Sequence, residues 1–153
     1  MSHRALVGAP PSGKPFRMAQ FSSTINVDAS PDEAFAFLSD LTNRPEWDPS
    51  VRSVAVLDGG RFAVTVGFYG KAIETTYEVV ESDGPKRIVF EGSGKMKARD
   101  VIEIVEREGG SSVTMDLNVT LKGAARMLDR GLQLAFAGIG DNAAKALKGK
   151  LDA

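Results

Sequence analysis

Two polar side chains, Asp100 and Tyr77, fall at positions where the alternation of the sequence otherwise places buried apolar residues. Alternate residues from Met96 to Ile104 are apolar apart from Asp100, so the pattern points this carboxylate inward. A buried carboxyl group is costly unless it is paired or protonated, and it would bind a ligand hydroxyl or act as an acid or base with a raised pKa. The phenol of Tyr77 would orient a ligand or hydrogen-bond a backbone carbonyl in a core.

A second interpretation of Asp100 is open from the sequence. A bulge near residues 98–100 would turn the carboxylate to solvent beside Arg99, where it would have no chemical role. If Asp100 does point inward, it forms with Tyr77 the one inward acid–base pair that the alternation offers. An enzymatic mechanism would therefore depend on these two residues.

The composition excludes several kinds of catalytic and metal site. The chain has no cysteine, which removes disulfides, thiolate nucleophiles and zinc–thiolate sites. Its single histidine, His3, lies in the N-terminal stretch, so histidine triads are excluded and a transition-metal site is not expected. We therefore expect no metal and no cofactor. The formal net charge of -1 supplies no field that would attract nucleic acid.

The length of 153 residues is typical of one domain. Residues 1–18 are rich in proline and lack periodicity, which predicts a flexible N-terminal arm, and residues 19–153 are predicted to form a single ligand-binding domain. No apolar run approaches the ~20 residues of a membrane span. We expect no stable membrane insertion and a cytoplasmic location.

The elements that must position these side chains begin with a strand and two short helices. Alternation from Phe21 to Val27 predicts the strand. Ser30 followed by Pro31 and Glu33 predicts a capped helix start. A second short helix is predicted near Asn43 to Trp47, and Pro45 and Pro49 limit its length.

A run of hairpins is predicted next, ending near residue 121. Closing the chain at its turns pairs Val66 with Ile73, Val64 with Thr75, and Phe62 with Tyr77. All of these residues share one face, so the registers agree with one another. The pattern is typical of an antiparallel sheet with one buried face and one solvated face.

A long amphipathic helix is predicted from about residue 123 to residue 150. A strongly bent sheet cannot contact one straight helix along its whole length, so either bulky side chains fill the gap or a cavity remains. Small residues edge the buried stripe of the helix, among them Gly131, Ala135, Gly138, Asn142 and Ala146. They would allow close packing or leave space for a ligand. A helix break near Gly138, capped by Asp141, is the alternative.

The segment from Asn26 to Leu41 (NVDASPDEAFAFLSDL), followed by Arg44-Pro-Glu-Trp47, resembles the opening of the START-like helix-grip (SRPBCC) superfamily. It is most similar to the polyketide cyclase/dehydrase and lipid-transport branch, and the resemblance covers about residues 19–152. It implies an α+β helix-grip fold, in which a curved antiparallel sheet of six to seven strands wraps around a long C-terminal helix. The iron site of ring hydroxylases is excluded because the histidines are missing.

The resemblance and the mixed lining of the buried face predict a pocket for a small hydrophobic ligand, lipid-like or polycyclic. The candidate ligand-binding residues are Phe62, Val64, Val66, Phe68, Thr75, Tyr77, Phe90, Met96, Asp100, Leu132, Ala135, Ile139 and Asn142. The alternative is a polyketide-type cyclase/dehydratase that uses Asp100 and Tyr77 as acid and base. A third possibility is an interaction module whose interior is filled by its own side chains.

Other polar and aromatic residues are expected to have structural roles. Trp47 would seat the short helices on the sheet, or alternatively line the pocket entrance. Arg44, Asp48 and Arg52 are expected as surface charges or a local ion pair, and Asn142 as a cavity contact or the partner of a nearby backbone group. The protein is expected to be a monomer or a weak homodimer.

Overall fold

One curled antiparallel sheet of seven strands forms the body of the molecule. The computed structural model describes residues 18–68, 71–121 and 129–152. The strands are β1 (Met18–Val27), β2 (Val51–Val56), β3 (Arg61–Phe68), β4 (Lys71–Asp83), β5 (Arg87–Gly94), β6 (Met96–Arg107) and β7 (Gly110–Leu121). Their order is β1-β7-β6-β5-β4-β3-β2, so β1 and β2 form the two edges.

Two short helices connect the edge strands β1 and β2, and one long helix follows β7. Helix α1 (Pro31–Ser39) and a 3-10 helix (Leu41–Glu46) lie between β1 and β2, and α2 (Asp129–Leu151) comes after β7. This arrangement confirms the α+β helix-grip fold. Residues 1–17 of the predicted arm lie outside the described residues, and β1 begins at Met18, one residue before the predicted start of the domain.

The register of β3 and β4 matches the pairing deduced from the turns. Val66 pairs with Ile73, Val64 with Thr75, and Phe62 with Tyr77. An unpredicted irregularity follows in β4, where the register with β5 shifts between Val79 and Glu81. Alternate residues of β6 and β7 are buried, including Met96, Ile102, Ile104, Val113 and Met115. The core therefore lies on one face of the sheet, as the alternation predicts.

The two short helices begin at polar caps. The Ser30 hydroxyl accepts from the Glu33 N–H at 3.2 Å while the Ser30 N–H donates to the Glu33 carboxylate at 3.0 Å, which is the capping box that the sequence predicts. Asp40 accepts from the N–H of Thr42 at 3.1 Å and starts the 3-10 helix. The predicted second helix therefore begins two residues earlier than expected, because Asp40 provides its cap.

Helix α2 is anchored on the β1 edge of the sheet. Its last residues hold the β1–α1 connection, because the N–H of Ala29 donates to the Leu151 carbonyl at 2.9 Å and Lys148 donates to the Asn26 carbonyl at 2.7 Å. A Cβ placed on Gly140 would collide with the ring of Phe21 on β1, so this glycine allows the close approach. β1 is the strand that α2 approaches most closely within the described residues.

Two expectations about this helix are wrong in detail. The helix runs without interruption from Asp129 to Leu151, so the alternative break near Gly138 is not present. The glycine that contacts the sheet is Gly140, whereas Gly138 is exposed and has open space around it. The predicted first turns of the helix fall on residues 122–128, outside the described residues. Within the described chain, neither helix has the length and apolarity of a membrane span.

Candidate functional site

Asp100 lies in the regular part of β6 and points to the buried side of the sheet. It pairs with Phe90 on β5 and Leu117 on β7, and neither pairing contains a register shift near it. The residue is 3% exposed. The alternative of a bulge that turns Asp100 to solvent is therefore wrong, because alternation continues without interruption from Met96 to Ile104.

The partner of Asp100 is Arg44, from the 3-10 helix. Nη1 of Arg44 lies 3.0 Å from Oδ2 of Asp100, and 3.7 Å from Oδ2 of Asp48. Arg44 is 4% exposed and Asp48 6% exposed, so they are not surface charges, and the alternative of a local ion pair between them is confirmed. Arg52 is exposed, as expected. A buried carboxyl group must be paired or protonated, so an inward Asp100 was a signal for a buried cation, but it did not identify Arg44 as that cation.

Three aromatic rings enclose the guanidinium of Arg44. Its central carbon, Cζ, lies 4.9 Å from the ring centroid of Trp47, 5.5 Å from that of Phe90 and 6.0 Å from that of Tyr77. Rings at these distances attract a cation through their negative faces. Trp47 is 2% exposed, so it forms part of the packing between the 3-10 helix and the sheet. Its position supports the predicted anchoring role.

The local backbone fixes Arg44 in this place. Its carbonyl accepts from the N–H of Asp48 at 2.9 Å, and Oδ1 of Asp48 accepts from the N–H and the hydroxyl of Ser50 at 3.0 and 2.7 Å. These bonds hold the end of the 3-10 helix and the start of β2 together. The arginine therefore projects from a short, well-bonded segment onto the centre of the sheet.

One amino group of Arg44 lacks a partner. Nη2 is buried and makes no hydrogen bond within the described part of the chain. A buried donor without an acceptor costs ~1–3 kcal/mol, and more for a charged group. The aromatic faces around the guanidinium offset part of this cost. Nη2 is nevertheless the unsatisfied group of the cluster formed by Arg44, Asp48, Tyr77 and Asp100, which we call the Arg44 cluster.

Tyr77 enters this cluster from β4. It is 5% exposed, and none of the hydrogen bonds between described residues involves its hydroxyl. Gly92 lies beside it on β5, and a Cβ there would come within 2.7 Å of the tyrosine ring. Burial, followed by the charge of Asp100, raises the pKa of Tyr77 well above its ordinary value. The phenol is therefore a neutral donor and acceptor at physiological pH.

Arg44 and Asp100 each shift the pKa of the other. Burial raises the pKa of Asp100, and the charge and hydrogen bond of Arg44 offset part of that rise. Burial by itself would lower the pKa of Arg44, but Asp100, Tyr77 and Asp48 together raise it. The cluster therefore combines a permanent cation with a carboxyl group that accepts a proton more readily than an exposed aspartate does.

The remaining candidate ligand-binding residues differ in how far they are buried. Val64, Val66, Phe90 and Met96 are buried in the core, and Phe62 and Ile139 are half-buried against it. Phe68 lies in β3, and Leu132 and Ala135 lie in α2, but their side chains are outside the described residues.

Thr75 points inward as its register predicts, whereas Asn142 does not reach the buried face. The Thr75 hydroxyl lies 2.8 Å from each of the carbonyl oxygens of Ser93 and Met96, so its proton is committed to the backbone near the β5–β6 turn. Asn142 is exposed, whereas the neighbouring Ala143 is buried, because the helix turns the asparagine away from the packed face.

A groove of about 760 Å³ lies elsewhere, between the start of α1, the β4–β5 turn and β6. It is lined by Ser30, Pro31, Asp83, Pro85, Glu103 and Val105, among others, and by none of the candidate ligand-binding residues. No set of three or more carboxylate or imidazole groups is arranged to hold a metal ion in residues 18–68, 71–121 and 129–152.

The family model for polyketide cyclase / dehydrase and lipid transport matches residues 18–152. No curated protein is a detectable relative of the chain in sequence. The match includes the 3-10 helix, β4 and β6, and therefore every residue of the Arg44 cluster.

Several solved structures have the same fold. TTHA0849 from Thermus thermophilus is 18% identical with a TM-score of 0.73, over 86% of this chain and 96% of that chain. The Zhui aromatase/cyclase from a Streptomyces species is 13% identical with a TM-score of 0.72, over 88% and 93%. A START superfamily protein from Mycobacterium smegmatis is 19% identical with a TM-score of 0.62, over 86% and 96%. These likenesses concern the fold alone.

Proposed function

The chain belongs to the polyketide cyclase/dehydrase and lipid-transport family, and on that premise we propose that it binds a small hydrophobic molecule, lipid-like or polycyclic, between its sheet and α2. The observation that carries the proposal is the Arg44 cluster. It sets one group of polar side chains, with an unsatisfied Nη2, into a buried face that is mostly apolar. Apolar walls with a few convergent polar groups are the usual chemistry of small-molecule sites.

Two further features support a binding role. The described part of α2 packs most closely on the β1 edge, whereas the strand residues of the Arg44 cluster, Tyr77 and Asp100, lie on β4 and β6, nearer the middle of the sheet. Candidate residues from β3, β5 and β6 supply the surrounding apolar side chains, namely Val64, Val66, Phe90 and Met96. A ligand held there would contact the aromatic cage around Arg44.

A second candidate function is a cyclase/dehydratase acting on a polyketide-like substrate. The observation that favours it is the raised pKa of Asp100 in the same buried cluster as Tyr77, whose protonated phenol is influenced by the charge of Asp100. A carboxyl group with a raised pKa beside a neutral donor is a combination that acid–base catalysis uses. One structural neighbour is itself an aromatase/cyclase, which is consistent with this candidate. The ion pair with Arg44 argues for binding, because it occupies one oxygen of Asp100.

Native mass spectrometry of freshly purified protein tests the binding function. We expect a copurifying apolar molecule that organic extraction removes and that returns on incubation. A protein that carries no such molecule, and that takes up none from a mixture of lipids and polycyclic ketones, would contradict the proposal.

The variant Asp100→Asn separates binding from catalysis. Under the binding function it changes affinity for the ligand, whereas under the catalytic function it abolishes turnover of a polyketide-like substrate. Glu91→Gln is the matched control, because Glu91 forms an exposed ion pair with Arg99, which neighbours Asp100 on β6. Loss of turnover in Asp100→Asn alone would establish the enzyme.

The proposal also includes a cytoplasmic protein that acts as a monomer or a weak homodimer without nucleic acid. The near-zero net charge of -1 supports the last point. Light scattering after size-exclusion chromatography, with and without added nucleic acid, tests the stoichiometry.

A further inference from the structure

We infer that β2 is also an interface strand, which pairs antiparallel with β2 of a second copy of this chain. Ala55 lies on the twofold axis of the pair, so that Val54 lies opposite Val56 of the second copy and the two sheets continue into one another. This inference rests on the homodimer in the proposed function and specifies its surface. It does not depend on which ligand is bound.

The two edges of the sheet differ in how they are covered. Helix α2 packs along β1, with Gly140 against the ring of Phe21. β2 has β3 on one side and, within residues 18–68, 71–121 and 129–152, no strand on the other. The 3-10 helix contacts β2, yet residues 55–60 at the end of the strand are exposed. An edge in this state presents backbone N–H and C=O groups to which another strand can bind.

The hydrogen bonds of β2 show which of its backbone groups point out of the sheet. The N–H of Leu57 donates to the Arg61 carbonyl at 2.8 Å, so the backbone of Leu57 points towards β3. Bonded residues alternate along an antiparallel pair, so Ala55 also points to β3, whereas the N–H and C=O groups of Val54 and Val56 point outward. Placing Val54 opposite Val56 of the second copy allows the two residues to exchange both bonds, and the twofold axis produces the same exchange again.

The side chains at this edge suit a strand that is covered. Val56 is 68% exposed and Leu57 38% exposed, and residues 53–57 contain neither a charge nor a proline. Edge strands of proteins that remain monomers commonly carry lysine, proline or a bulge that prevents pairing. β2 has one register irregularity, between Val51 and Ser53 at its start, and the rest of the strand is regular. A second copy would bury the exposed valine against a valine of its own.

Charge selects one register among those that the backbone allows. A twofold pairing could place Val54 opposite Val54 or opposite Val56 of the second copy, because both choices join groups that point outward. The second choice brings Arg52 level with Asp58 of the second copy, and the axis creates that pair twice. Both residues are exposed, and neither forms an ion pair within the described chain. Arg52 rests on Gly67 in the single copy, but exposed side chains change rotamer quickly, so its guanidinium can turn to the edge.

Sedimentation equilibrium of the wild-type protein, over a concentration series into the millimolar range, measures the association. The paired edge is short, and interfaces below ~1,200 Å² of total buried surface are commonly weak, so we expect a dimer only in the upper part of the series. Hydrogen exchange gives a second measurement that needs no variant. The amides of Val54 and Val56 should exchange quickly in dilute protein and become protected when the dimer forms.

The variant Val56→Lys puts a charge on the free edge, which is a device that prevents strands from pairing. It should weaken the dimer at least about tenfold, while the exposed position leaves the single copy folded. Val105→Lys is the matched control, because Val105 is a valine of similar exposure, 65%, on β6, which has a strand on each side. This control should leave the dissociation constant within about twofold of the wild-type value.

Charge reversal tests the register. Arg52→Glu and Asp58→Arg should each weaken the homodimer by about tenfold, because both ion pairs of the interface become pairs of like charge. An equimolar mixture of the two variants should associate as tightly as the wild type, since every charge at the interface then meets the opposite sign. A mixture that associates no better than either variant alone would overturn the proposed register.

The remaining outcomes separate this inference from the binding function. A wild-type protein that stays monomeric into the millimolar range would overturn the inference, and so would a dimer that persists in Val56→Lys. Protection of the Val54 and Val56 amides already in dilute protein would mean that another part of the same chain covers the edge, which also overturns it. Native mass spectrometry reports ligand binding separately, so a dimer without a ligand would contradict the binding function alone.

Discussion

Nη1 of Arg44 lies 3.0 Å from Oδ2 of Asp100, although the two residues are 56 positions apart in the chain and both side chains are buried. The pair joins the 3-10 helix, which precedes β2 at one edge of the sheet, to β6 near the middle. It is therefore both a long-range contact of the fold and the polar centre of the candidate site.

Removing one partner of this pair should be strongly destabilising. Arg44→Met leaves the Asp100 carboxylate without its counter-charge in a buried place, and we expect a loss of ~3–5 kcal/mol in the free energy of unfolding. Urea unfolding at neutral pH measures it. The control Glu91→Gln breaks an ion pair whose side chains are 47% and 48% exposed, and it should cost less than about 1 kcal/mol. Equal losses in the two variants would mean that the buried pair has no special role.

The Asp100 carboxyl should keep its proton to a higher pH than an exposed aspartate does. Because burial raises its pKa in the folded state, the folded protein binds this proton more tightly than the unfolded chain does. The contribution of Asp100 to stability therefore falls as pH rises from the ordinary aspartate pKa through the raised one. Carbon NMR of the carboxyl group measures the midpoint, and a midpoint at or below the ordinary value contradicts the prediction.

The contribution of Asp152 to stability should depend on pH in the opposite direction to that of Asp100. A hydrogen bond from Lys148 lowers the pKa of this partly exposed carboxyl group, and Nζ lies 2.8 Å from Oδ2. Its stabilisation is present above the ordinary aspartate pKa and is lost as pH falls through the lowered value. Asp152→Asn should therefore flatten the acid side of the pH–stability curve. An unchanged curve would show that the contact has no net effect.

Tyr77 should ionise only far above the ordinary tyrosine pKa. The chain has two tyrosines, Tyr69 and Tyr77, so Tyr69→Phe leaves Tyr77 as the single phenol seen in the ultraviolet absorbance of tyrosinate. Burial and then Asp100 are the main causes that raise the pKa of Tyr77, so adding Asp100→Asn should lower the midpoint. A midpoint near that of free tyrosine while the protein is still folded would contradict the buried position.

Replacing either of two glycines of α2 by alanine should change the stability of the protein, but in opposite directions. Gly138 is exposed with nothing near an added Cβ, so Gly138→Ala should stabilise the protein by ~0.5–1 kcal/mol through helix propensity. Gly140 lies on the ring of Phe21, so Gly140→Ala should destabilise it by ~1–3 kcal/mol through overpacking. Thermal unfolding of both variants measures the difference, and a gain from Gly140→Ala would exclude the close contact between α2 and β1.

Local patterns predicted most of the fold because each involves neighbours in the chain. The capping box of Ser30 and Glu33 acts across three residues, and the β3–β4 register follows from a short hairpin. Such contacts depend on backbone geometry and on the period of side-chain alternation. The period of β6 indicates the inward direction of Asp100 in the same way, but it left the alternative of a bulge open, which only the strand register excludes.

Arg44 and Asn142 could not be placed from the sequence. Arg44 lies in a six-residue 3-10 helix, which has too few turns for a reliable amphipathic pattern, and its partner is on a distant strand. Asn142 lies at the edge of the helical stripe, where a small rotation of α2 decides between burial and exposure. In each case the answer depends on how separate elements pack together.

By itself, the sequence determined the strands, their faces and the Ser30 cap of the first helix, because these follow from interactions over a few residues, and it offered an inward Asp100 as one of two interpretations. The tertiary structure alone decided that a buried arginine opposes that carboxylate, and that the aromatic rings of Trp47 and Phe90 enclose it. The physical reason is that the desolvation of a charge and its compensation depend on distances between side chains, which are set only when the helices close over the sheet.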